Sequence, residues 1–85
     1  MSGDYTNQIL DRVAWLQHVI GEVNFRIERQ KFLIESLEAN VQEGIITPQE
    51  SDELRLTFGS RLTELTKVRD RLLKKVQQTR NSSTF

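Results

Sequence analysis

What most constrains this chain is the spacing of apolar residues in its first half. Ile9, Val13, Leu16, Ile20, Val23, Ile27, Ile34, Leu37 and Val41 follow one another at steps of 4, 3, 4, 3, 4, 7, 3 and 4. An α-helix turns once in 3.6 residues, so alternating steps of three and four keep these side chains on one stripe. A strand would need a period of two. The pattern therefore predicts one long helix packed lengthwise against another along a coiled-coil-like seam. One phase of the seam (Val13, Ile20, Ile27, Ile34, Val41) is wholly β-branched, which is what a two-helix seam prefers at its a position. The other phase holds Ile9, Leu16, Val23, Gln30 and Leu37. Gln30 is its polar interruption, and a buried amide there can fix register at a cost in stability.

The partner helix is expected in the same chain. Pro48 is the single proline, and the stretch after it repeats helical spacing at Leu54, Phe58, Leu62, Leu65, Val68, Leu72 and Val76, with Leu73 alongside. This second stripe is less regular, because Arg61 and Arg69 interrupt one phase. Gly59 inside it weakens the helix by ~1 kcal/mol relative to alanine. Between the two stripes lies EGIITPQE, residues 43–50. Gly44 suits the left-handed residue that closes a helix. Thr47 and Glu50 have the spacing of a capping box, with Pro48 at the first helical position. Ile45 and Ile46 are expected to plug the end of the seam. Two helices joined by so short a turn must be antiparallel neighbours. The expected fold is all-α, a single hairpin domain: helix one over about 5–42, turn 43–47, helix two over about 48–79, and a frayed polar tail over 80–85.

Size and composition narrow what such a hairpin can do. With 85 residues and no cysteine, the chain has no disulfide staple, no thiolate metal site and no cysteine nucleophile. No apolar run approaches the ~20 residues of a membrane span, and the first residues lack the basic and apolar regions of a signal peptide. A cytoplasmic or nuclear location is the expectation. A chain this small usually gains missing burial by oligomerising or by docking on a partner. Trp15, Val19, Phe25, Phe32 and Leu33 fall outside the seam, which argues for a second contact surface. The charges are polarised although their sum is zero. Residues 35–66 carry seven acids and two bases, net −5, and residues 67–85 carry six bases and one acid, net +5. Glu50, Asp52 and Glu53 suit a helix N-terminus, and Lys74, Lys75 and Arg80 a helix C-terminus. Two hairpins packed antiparallel would also pair each acidic turn with a basic open end. The expected assembly is thus an antiparallel homodimer forming a four-helix bundle.

The partner-binding candidates are Trp15, Phe25, Arg29 and Phe32. Phe25, Arg29 and Phe32 share a helical face that His18 and Glu22 continue toward Trp15. Aromatic residues interleaved with arginine can also stack bases and neutralise phosphates. The nucleic-acid candidates are accordingly Arg26, Arg29, Lys31, Lys74 and Lys75. In architecture, a hairpin with a basic, aromatic face resembles the Rop family of plasmid RNA-binding proteins, which implies an antiparallel dimer binding structured RNA. LEANVQEGIITPQESDELR locally resembles the short C-terminal helical hairpins of many bacterial proteins, a likeness that implies no function. Arg12 and Arg29 have the spacing of two arginines in small helical chorismate mutases. That family needs a lysine where this chain has Asn40, and a third helix. One histidine, His18, and no cysteine leave no metal constellation, and two helices offer no nucleophile–base arrangement. The expectation is a non-enzymatic protein–protein interaction or assembly module without cofactor or metal, binding itself and another protein. The alternative is a small regulator of structured RNA.

Overall fold

The computed structural model describes the backbone of residues 2–82 and the side chains of residue 8 and residues 10–81. Two helices, α1 (Ser2–Gln42) and α2 (Pro48–Ser82), pack antiparallel in a rod of 65 × 16 × 11 Å. Both helices run further toward the open end than the spacing suggested: α1 begins at Ser2 and α2 continues through Ser82, into the expected tail. Residues 83–85 of that tail lie outside the described residues.

The turn follows from its residues. Gly44 adopts φ 77°, in the left-handed region that a side chain disfavours. Its N–H donates to the carbonyl of Val41 at 3.1 Å, and the N–H of Ile45 donates to that of Asn40 at 3.0 Å. That pair of bonds is a Schellman closure, which satisfies carbonyls the helix end would leave bare. Thr47 N–H donates to Glu50 Oε1 at 3.0 Å, and Glu50 N–H donates to Thr47 Oγ1 at 3.1 Å, completing the capping box. The Thr47 bonds hold the Glu50 carboxyl below its ordinary pKa, the backbone donor contributing most. Of the two isoleucines expected to plug the seam, Ile46 is half-buried, whereas Ile45 is exposed.

Along the seam, Val13, Leu16, Ile20, Val23, Ile27, Leu37 and Val76 are buried. Ile34, Val41, Leu54, Phe58, Leu62, Leu65 and Leu72 are half-buried, and Ile9 lies outside the described side chains. Val13, Leu16, Ile20 and Val76 form the tightest cluster, with Leu72 packed on it. The residues that share a groove set the register: Leu16 with Lys75 and Gln30 with Arg61 place residue i of α1 level with about residue 91 − i of α2. Val68, placed on the stripe by its spacing, is exposed, and Arg69 is half-buried in its stead. Ser51 is buried in the first turn of α2, where the helices converge on the turn and a small side chain fits. Polar residues near the α2 seam satisfy themselves locally. Thr66 Oγ1 donates to the Leu62 carbonyl at 2.8 Å and Thr79 Oγ1 to the Lys75 carbonyl at 2.8 Å. The ion pairs Lys31–Glu28, Lys67–Glu64 and Arg69–Asp70 each lie within one helix at the surface, so they contribute little to joining the two.

Candidate interaction surface

Once α2 covers the seam, α1 still carries a second apolar stripe. Trp15 is 64 % exposed, and Phe25 and Phe32 are each 67 % exposed. Phe25 and Phe32 stand seven residues apart on one side of α1, and Trp15 lies about 80° round the helix from Phe25. The half-buried Val19 and Leu33 border them on the side nearer α2, over a length of roughly 27 Å at 1.5 Å per residue. Charged residues sit within it at fixed places: Glu22 before Phe25, and Arg26 and Arg29 after it, all exposed. None of these three has an ion-pair partner among the described residues. His18 is exposed on the same side, away from α2.

The remaining large apolar side chains exposed among the described residues, Leu10, Ile45, Leu56, Val68 and Leu73, are scattered singly and make no strip. Isolated exposures of that kind are normal. Three aromatics exposed along one helix make a larger apolar surface than any of these.

Two shallow grooves flank the strip. At the open end, Trp15 lies beside Arg12, Lys75 and Thr79. At mid-height a groove of about 420 Å³ gathers Arg26, Arg29 and Arg61 around Gln30 and Leu65. Gln30 Oε1 is buried at its floor without a hydrogen-bond partner. Arg61 joins the other two arginines because its level on α2 matches residue 30 of α1. The sequence offered Arg61 only as an interruption of the second stripe, and the pairing of the two helices is what finds it.

The nucleic-acid candidates do not form one site. Arg26 and Arg29 share the mid-height groove, Lys31 is tied to Glu28 at 3.5 Å, and Lys75 lies with Trp15 at the open end. Lys74 is exposed on α2 beside Lys75. The described residues contain no group of three or more His, Cys, Asp or Glu side chains able to hold a metal. No described helix is long and apolar enough to cross a membrane. The hydroxyls of Thr57, Thr63, Thr66 and Thr79 are turned back onto carbonyls of their own helix.

Fold and surface define a two-helix hairpin with one unpartnered aromatic strip. Comparison with protein-family models, curated proteins and solved structures finds no match.

Proposed function

We propose that this protein is a non-enzymatic interaction module whose working surface is the outer face of α1. The observation that carries it is the strip of Trp15, Phe25 and Phe32, which remains about two-thirds exposed after the hairpin has closed its seam. Aromatic side chains supply most of the energy in protein interfaces because they bury large area with little loss of rotamer freedom.

A photoreactive residue placed at Phe25 or Phe32 tests this. Irradiation should yield protein adducts from either position, and none from Leu56 on α2, which is equally exposed but lies off the strip. Adducts only to nucleic acid, or equal adducts from Leu56, would overturn it.

One observation favours a second reading, binding of structured RNA. Arg26, Arg29 and Arg61 line one groove, with Glu64 as its one acid, and none of the three arginines has an ion-pair partner among the described residues. Under that reading, Arg26→Ala with Arg29→Ala weakens binding to a structured RNA, and affinity falls steeply with added salt. Absence of binding at low salt removes it.

A further inference from the structure

We propose that the occupant of the outer α1 face is a second copy of this chain, running antiparallel, with α1 packed on α1 and both α2 helices outside. This rests on that face being a protein contact surface, and it names the partner.

The exposed area calls for one. The hairpin presents 6730 Å² to solvent, whereas a compact monomer of 9.9 kDa presents about 5,200 Å². The excess is roughly 1,500 Å² per chain, which leaves room for one long face to be covered, since a standard interface removes about 800 Å² from each partner. Area alone does not choose the occupant; charge does. Two parallel copies would stack acidic turn on acidic turn and Glu22 on Glu22. Two antiparallel copies instead set the turn end of each, with Glu35, Glu38 and Glu43, at the level of the other's basic open end, residues 67–85.

The strip itself carries the same complementarity. A two-fold axis near residue 24 sets residue i of one α1 beside about 48 − i of the other. Trp15 then packs beside Phe32 and Leu33 of the second copy, and Phe25 sits close to the axis. Glu22 comes beside Arg26 of the second copy, with Arg29 one turn on. Because a two-fold interface is isologous, each of these contacts occurs twice. Residues left without partners inside one hairpin (Trp15, Glu22, Arg26, Arg29, Phe32) are thereby matched by the same residues of another.

The chain has no cysteine, so one introduced thiol gives a unique label. Sedimentation equilibrium of the full chain should give twice 9.9 kDa. A nitroxide on Glu43→Cys, at the exposed turn, should report an inter-label distance of about 57 Å for this axis, against less than ~25 Å for a parallel pair. Glu22→Lys should weaken the dimer roughly tenfold, since it replaces two attractions by two repulsions. Adding Arg26→Glu and Arg29→Glu should restore it, with helicity by circular dichroism unchanged throughout. A single-chain mass at every concentration, a short Glu43 separation, or no rescue by the triple variant overturns the proposal. A monomer that still gives protein adducts from Phe25 overturns this inference alone and leaves the interaction module standing.

Discussion

Phe25 and Ile27 stand two residues apart on α1, both large and apolar, in opposite surroundings. Ile27 is 2 % exposed under α2, whereas Phe25 is 67 % exposed on the other side. Two residues along a helix is a rotation of about 200°, so neighbours in sequence belong to different surfaces. Apolarity therefore does not say what a residue is for; its phase on the helix does. Ile27 contributes to the existence of the hairpin, and Phe25 is available to something else.

The substitution with the largest effect breaks the inner side. Ile27→Asp puts an unpaired charge at the most buried point of the seam, where nothing can hydrogen-bond or neutralise it. We expect a loss above ~4 kcal/mol, enough to unfold a domain of this size, with loss of the helical circular dichroism spectrum. Phe25→Ser should leave that spectrum intact. If both variants retain helicity, the seam does not run through Ile27; if both lose it, the two faces are not independent.

A smaller effect sharpens the contrast within the seam. Near the open end, Val13, Leu16, Ile20 and Val76 close on one another without a polar atom among their side chains. At mid-height, Gln30 occupies an equivalent position and buries Oε1 with no donor. An orphaned buried acceptor costs about 1–3 kcal/mol. Gln30→Leu should raise the urea midpoint by the equivalent of ~1–2 kcal/mol, and an unchanged midpoint would mean the amide is satisfied in solution.

Much of this was legible in the spacing of residues. The steps from Val13 to Val41 define α1 and its buried side, and TPQE is answered by the two reciprocal bonds between Thr47 and Glu50. The illegible parts are those decided by the second helix. Val68 and Arg69 compete for one place on the seam, and apolarity favours Val68. Register favours Arg69, half-buried seven residues after Leu62 and seven before Val76. Ser51 gave no hint of burial, because a small polar residue is read as surface until the convergence of two helices is known. Arg61 belongs to the groove with Arg26 and Arg29 only through the pairing across the hairpin. The outer strip was visible as apolar surplus, but its exposure depends on which side α2 takes.

The two helices also differ in how much local sequence supports them, and Gly59 is the point to test. A methyl group added there meets nothing within 4 Å, and the residue lies inside a regular helix. Gly59→Ala should therefore stabilise the hairpin by ~1 kcal/mol through helix propensity alone, read from the shift in thermal midpoint. A destabilised variant would show that the position is needed for close approach by something outside the chain.

The least effect is expected at the exposed start of α2, where only the cap acts. Glu50 accepts the Thr47 N–H, and its side-chain pKa lies below the ordinary value of 4.5 in the folded chain. A carboxyl with a depressed folded pKa binds its proton more readily when unfolded. Its contribution is then fully present above the unfolded value and is lost as pH falls through the folded one. The hairpin should consequently weaken below about pH 4.5 by a small amount that Glu50→Gln removes, since the amide keeps an acceptor but does not titrate. Urea midpoints at pH 7 and pH 3 for both chains measure it. If the acid-induced shift is the same in the two, the capping box is open in solution, and the turn is held by Gly44 and the Schellman bonds alone.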